Sequence, residues 1–249
     1  MIREITQRFP KSKTKNKVTI NGYRPKIIRY ADDFVVFHKE LEVILQCKTL
    51  ISQWLDKVGL TLRPEKTRIC HTLNEIYIDG NPSKPGFDFL GFKIRSYPVG
   101  KHQSGRTGGR NSEILGFKTI IKASEKAVKA HHQVVKQIIK DHKTAPQVAL
   151  ISRLNPIICG WCNYYSTVVS KEIFSSEDAH LWKLLRAWTA SRTGKANYQK
   201  LSKYFSNGRH GTWTFQTHED GGFVLMKHSD TPIIRHTLVR PEASPYDGE

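Results

Sequence analysis

Acidic residues are scarce in this chain of 249 residues: 22 Asp plus Glu stand against 40 Lys plus Arg, a formal charge of +18. So one-sided a balance points to a polyanionic partner, with nucleic acid ahead of acidic lipid. Long apolar runs are missing as well. No stretch of about 18 apolar residues exists, which excludes a membrane-spanning helix. Cysteine is limited to Cys47, Cys70, Cys159 and Cys162, too few for a disulfide scaffold at this length. The thiols suit a reducing compartment, the bacterial cytoplasm or an organelle, rather than secretion. Residues 1–18 are basic but have no apolar core of signal-peptide type, and Phe9-Pro10 interrupts any amphipathic transit helix, so this stretch reads as a polar lead-in. With 38% hydrophobic residues, the chain is too apolar for a disordered basic tail and is long enough for two modest domains.

Three zones follow along the chain. Residues 26–97 are strand-rich with one helix. Ile27-Ile28 and Phe34-Val35-Val36-Phe37 are β-formers around the polar turn Ala31-Asp32-Asp33, which predicts a hairpin. Leu41, Ile44, Leu45, Ile51, Trp54, Leu55 and Val58 recur at helical spacing, with Gly59 as C-cap. Short strands are expected around Thr61, Ile69, Tyr77 and 89–94. Residues 98–116 hold Gly100, Gly105, Gly108 and Gly109, and read as a flexible linker. From Ser124, a plausible N-cap, the period turns helical. One stripe is Val128, His131, Val134, Val135, Ile138 and Ile139. Further helices are expected at 147–154, from Pro156 as a first helical position, at 178–191 and at 198–205. Short strands are expected at Trp213-Thr214-Phe215 and Phe223-Val224-Leu225.

The sharpest local feature is Arg29-Tyr30-Ala31-Asp32-Asp33-Phe34-Val35-Val36. Adjacent carboxylates at the tip of an apolar hairpin are costly without a counter-charge. Mg²⁺, a hard cation that prefers carboxylate oxygens and keeps positions open for phosphate, resolves that cost. On the dipeptide alone, Asp-Asp is an ordinary turn signal. Cys159-Gly-Trp-Cys162 has the spacing of half a zinc site, but no second pair accompanies it, so core thiols are the expectation. For a polyanion, Lys126, Lys129, Lys136, Lys140 and Lys143 mark one helix, and Arg153, Lys183, Arg186 and Arg192 follow. Tyr164 and Tyr165 are aromatics that suit either stacking on bases or packing between helices, whereas packing is favoured for Trp161, Trp182 and Trp188.

Taken together, these segments resemble a known family. Tyr-Ala-Asp-Asp between apolar strands resembles the metal-binding hairpin of reverse transcriptases. Gly59-Leu60-Thr61-Leu62-Arg63-Pro64-Glu65-Lys66-Thr67 and Phe87-Asp88-Phe89-Leu90-Gly91-Phe92 resemble its next two blocks. Leu154-Asn155-Pro156-Ile157-Ile158-Cys159-Gly160-Trp161-Cys162-Asn163-Tyr164-Tyr165 resembles the maturase-specific thumb, domain X, of group II intron-encoded proteins, and the ending from Arg235 to Gly248 is similar to that of bacterial and chloroplast-like members. The resemblance implies an α+β fold: a partial palm over 1–97, the Gly-rich linker 98–116, an all-α thumb over 117–206, and an extension 207–249 offered as a DNA-binding region.

Carried onto this chain, the resemblance gives Asp32 and Asp33 as metal-binding catalytic acids and Lys66 as the residue assisting pyrophosphate departure. Tyr30 and Ala31 lie beside primer terminus and incoming nucleotide, and Leu90 and Gly91 lie in the primer grip. The implied cofactor is Mg²⁺, the partner group II intron RNA, with target DNA and a separate fingers polypeptide as further partners. Complete members carry fingers and a third metal-binding Asp ahead of the hairpin. Here the only acid before Asp32 is Glu4, so the chain is expected not to polymerise alone. Three readings stay open: an intron-binding maturase portion, half of a split RNA-directed DNA polymerase, and a decayed nucleic-acid-binding remnant.

Overall fold

A computed structural model describes residues 5, 7–9, 13–14, 17–18, 24–106, 113–193, 201–207, 213–218 and 222–234. The expectations for Gly108 and Gly109, for 198–200 and for the ending from Arg235 lie outside these. The chain divides into two compact units, Met1–Pro85 and Gly86–Glu249. Among the described residues the architecture is mixed α+β, with four long helices and several small antiparallel sheets.

In the first unit, β1 (Lys13–Thr14) pairs with β2 (Lys17–Val18), and β3 (Lys26–Tyr30) pairs with β4 (Asp33–Phe37) as a two-stranded antiparallel sheet. α1 (Leu41–Lys57) follows. It ends on Gly59 at φ +72°, where Gly59 N–H donates to Asp56 O and Leu60 N–H donates to Leu55 O. This pair of bonds is the Schellman closure that glycine permits without a Cβ penalty. Cys47 and Ile51 of α1 bury against Ile5, with Ile27, Phe34 and Val36 of the hairpin packed around them. The opposite hairpin face carries Ile28 and Tyr30, both more than half exposed. β5 (Ile76–Ile78) and β6 (Asn81–Ser83) complete the unit, joined by Asp79-Gly80 with positive φ at both positions, a type I′ turn. Thr61 and Ile69 lie outside any strand, because that segment closes on itself through a turn at 63–67.

The second unit opens with β7 (Phe87–Phe89), β8 (Phe92–Pro98) and β9 (Phe117–Ala123) in one antiparallel sheet. The Gly-rich stretch after Pro98 joins β8 to β9, and its described ends are themselves paired, Gly105 N–H to Phe117 O and Leu115 N–H to Gly105 O. α2 (Glu125–Asp141) starts at Ser124, whose hydroxyl accepts from Ala127 N–H, and α3 (Gln147–Tyr165) and α4 (Lys171–Thr193) complete the helical layer.

Where two helices were expected around Pro156, one runs straight through it. Leu150, Ile151, Leu154, Ile158, Cys162 and Tyr165 form one buried face across the proline. Each fully buried aliphatic side chain stabilises by about 1.5–3 kcal/mol, which outweighs the roughly 3 kcal/mol cost of an internal proline. Asn155 is held beside it, donating to Val224 O and accepting from Met226 N–H. α4 begins earlier than expected because Phe174, fully buried, and the buried acids Glu177 and Asp178 extend its inner face.

The chain returns through β10 (Phe205–Asn207) and β11 (Trp213–Phe215), which places Phe215 and Leu225 in the helical core. Phe223 to Leu225 contributes only a bridge, Val224 to Gln216. A 3₁₀ turn at His228–Asp230 seals the bundle. Asp178 accepts from the amides of His228 and Ser229 and from His228 Nδ1 at 2.9 Å. Burial alone would raise the Asp178 carboxyl, but these bonds outweigh it and hold it below the usual range.

Candidate metal-binding hairpin and nucleic-acid interface

Pairing of Tyr30 with Asp33 leaves Ala31 and Asp32 as a two-residue loop. Ala31 sits at φ +51°, a left-handed conformation that costs an L-residue about 1–2 kcal/mol. Its carbonyl accepts from Arg29 Nε at 2.8 Å. The strained loop carries Asp32 and Asp33 side by side at an exposed tip. Among the described residues, no group of three or more His, Cys, Asp or Glu is arranged to hold a metal ion. Two exposed carboxylates nevertheless fit Mg²⁺, which binds through one or two carboxylates and completes its shell with water and phosphate. Lys66 is exposed on the 63–67 turn, where Lys66 N–H donates to Arg63 O. It and the Asp pair stand on separate elements of the first unit.

Leu90 and Gly91 form the two-residue loop between β7 and β8, at φ +49° and +79°. Leucine rarely adopts this conformation, and the fold braces it from α3. Tyr164 Oη donates to Leu90 O at 2.9 Å, and Tyr165 Oη donates to Gly91 O at 3.2 Å. Ser124 N–H donates to the same Gly91 carbonyl at 2.8 Å. Phe92 stacks on Tyr164 and meets Tyr165 edge-on. A Cβ on Gly91 would lie 2.8 Å from Tyr165 Oη, so glycine is required both by φ and by this approach. Tyr165 is buried and its phenol is pushed up by that burial. Tyr164 is 51% exposed, yet one ring face and the hydroxyl are already engaged. Both tyrosines therefore have partners inside the fold, and Ser124 has a second role that its N-cap signal did not reveal.

Lys126, Lys129, Lys136 and Lys140 are all exposed. At 100° per residue they span an arc of roughly 80°, away from the buried His131, Val135 and Ile139. Like charges three and four residues apart each cost a helix about 0.2–0.5 kcal/mol, a cost that a bound polyanion removes. Arg153, Lys183 and Arg186 are exposed too, with Arg186 over the Trp182 ring at 5.3 Å. Arg192 behaves differently. Its guanidinium lies 4.1 Å above Trp188 and donates to Ala145 O, since it falls on the same side of α4 as Leu181, Leu185 and Trp188.

Trp188 is buried and donates to His142 O, and Trp161 stacks on His131 at 4.4 Å. Cys162 is buried, its thiol pushed up to about 11 chiefly by burial, while Cys159 Sγ accepts from Asn163. Cys162 packs in the helical core, whereas Cys159 is half-buried. Among the described residues no helix is long and apolar enough to cross a membrane.

Two family models match the chain. Residues 1–94 match Reverse transcriptase (RNA-dependent DNA polymerase). Residues 128–205 match Group II intron, maturase-specific domain. No curated protein gives a significant match.

Proposed function

The chain belongs to the group II intron reverse transcriptase/maturases, and from that premise we propose that it binds the RNA of a group II intron and supports the fold in which that RNA splices. The observation that carries this reading is the row of exposed lysines on α2, of which Lys129, Lys136 and Lys140 lie inside the maturase-specific match. These side chains neutralise phosphates and release counterions, so affinity depends steeply on salt. Arg153, Lys183 and Arg186 extend the same role. Arg192, Tyr164 and Tyr165 serve it indirectly, by holding helix ends and the Leu90-Gly91 turn in place.

A second reading is RNA-directed DNA synthesis with the fingers and third acid supplied by another polypeptide, for which Asp32 and Asp33 would supply carboxylates to hold Mg²⁺. The metal, when bound, supplies Lewis-acid stabilisation of charge on phosphate oxygens. This chain's residues position the rest. Arg29 fixes the loop that aims the two acids, Tyr30 and Ala31 border the primer end and incoming nucleotide, Lys66 offers a proton or a charge to departing pyrophosphate, and the braced Leu90-Gly91 turn brings backbone close to the primer. Target DNA and a separate fingers polypeptide are partners of this second activity.

The test is a salt titration of RNA binding by the wild type and by a variant with Lys126, Lys129, Lys136 and Lys140 all changed to Ala. Loss of up to four single-strand phosphate contacts flattens the slope of log K against log salt by about 2.8. An unchanged slope removes α2 from the interface.

A further inference from the structure

The first unit has an open cleft of about 430 Å³ that takes only Thr67 from the motif residues and neither the Asp pair nor Lys66. α1 contributes Lys48, the segment after the 63–67 turn contributes Thr67, Arg68 and Ile69, and the β5–β6 hairpin contributes Ile78, Asn81, Pro82, Ser83 and Lys84. The cleft is walled by three cations, Lys48, Arg68 and Lys84, and among the described residues no carboxylate lines it. Ile69, Ile78 and Pro82 supply its apolar surface, and Thr67, Asn81 and Ser83 its neutral hydrogen-bonding groups.

Arg68 is built in rather than loose. Its Nε donates to Ser83 Oγ at 3.3 Å and another guanidinium nitrogen donates to Lys84 O, while Ser83 Oγ donates to Ile69 O at 2.7 Å. The strand that carries Ser83 is fixed in turn by the Asp79-Gly80 turn. The planar fork of Arg68 is thus held in one orientation, which lowers the ordering cost of meeting a phosphate. Lys48 and Lys84 are exposed and act as point charges on either side.

We propose that this cleft is a second nucleic-acid contact, which seats the phosphodiester backbone of an RNA strand on the first unit. Fixed Arg68 orients one phosphate, Lys48 and Lys84 neutralise its neighbours, and the apolar surface takes a sugar or base edge. Its openness favours a strand that enters and leaves over a small ligand enclosed on all sides. The volume falls within the 300–1,000 Å³ range of ligand-binding clefts in general. The inference deepens the RNA-binding reading and rests on it, but it uses none of the α2 residues.

The test uses the full chain, a labelled single-stranded RNA 20-mer, and two variants, Lys48→Ala/Lys84→Ala and the fourfold α2 lysine variant. Both cleft lysines are exposed and leave Arg68 in place, so circular dichroism melting is expected to match the wild type. Loss of two single-strand phosphate contacts flattens the salt slope by about 1.4 and, from a common 1 M reference, weakens binding roughly 25-fold at 0.1 M. Wild-type affinity in the cleft variant beside weakened binding in the α2 variant overturns the cleft and leaves the α2 interface standing. Failure of the wild type to bind the RNA overturns both.

A second arm separates a strand from a free mononucleotide by lysine-acetylation footprinting. Lys48 and Lys84 are expected to be protected by the 20-mer and not by 5′-AMP at equal nucleotide concentration. Equal protection by 5′-AMP overturns the strand assignment.

Discussion

Substituting Gly91 by Ala tests the brace between α3 and the β7–β8 turn. Two costs arise at once. An alanine at φ +79° carries the left-handed penalty of about 1–2 kcal/mol. Its Cβ would also fall 2.8 Å from Tyr165 Oη, displacing the phenol from Gly91 O and forfeiting a hydrogen bond worth about 1 kcal/mol. The single variant is therefore expected to lose about 2–3 kcal/mol in urea unfolding of the full chain. Tyr165→Phe alone loses about 1 kcal/mol, since Gly91 O keeps its bond from Ser124 N–H and is not orphaned. In the Tyr165→Phe background no hydroxyl remains to displace, and Gly91→Ala costs only the conformational part. The double-mutant cycle thus closes with a coupling of about 1 kcal/mol, the pair being less damaging than the sum. Additivity to within about 0.3 kcal/mol would mean that the two groups do not meet, and would refute the brace.

Glu177 is buried with His132 Nε2 3.5 Å from its carboxylate, and burial, with the Asp178 charge behind it, pushes its pKa up to about 7. The folded state then binds more protons than the unfolded between about pH 4.5 and 7, so stability falls as pH rises through that window and is flat above it. The full penalty is on the order of 3 kcal/mol. Glu177→Gln is expected to lose this slope and to gain about 1–3 kcal/mol at pH 8; a variant no more stable than wild type at pH 8 counts against it. Ala31→Gly relieves left-handed strain of about 1–2 kcal/mol against a glycine entropy cost of about 0.5–1. A net gain of about 0.5–1 kcal/mol in the urea midpoint is expected, and a loss would show that Ala31 is not strained.

The elements with a clear period or cap were legible from sequence. The 26–37 hairpin, α1 with its Gly59 stop and the Ser124 cap all follow from local chemistry that the tertiary fold does not oppose. Pro156 was misleading for a physical reason: a local rule breaks a helix there, but the buried face on both sides of it is worth more than the lost bond. The β5–β6 hairpin carried an unused signal, Asp79-Gly80, the turn pair whose φ values a I′ loop demands.

At the site, the exposed placement of Asp32, Asp33 and the α2 lysines could be read from residue type and spacing. The packing of Arg192 against Trp188 could have been read in advance from its helical phase, nine residues from Lys183 and hence on the opposite side of α4. The partners of Tyr164 and Tyr165 could not, because Leu90 and Gly91 lie 74 residues away in sequence and no local pattern reports such a contact.

The most direct measurement is the ratio of affinities for a structured group II intron RNA and an unrelated structured RNA of equal length, at 0.15 M salt. Charge alone gives a ratio near one, because phosphate contacts carry no sequence information. A maturase is expected to favour the intron at least tenfold, with the preference surviving as salt rises and total affinity falls. Equal affinity for the two RNAs at every salt concentration would contradict intron recognition and leave only a basic nucleic-acid-binding fold.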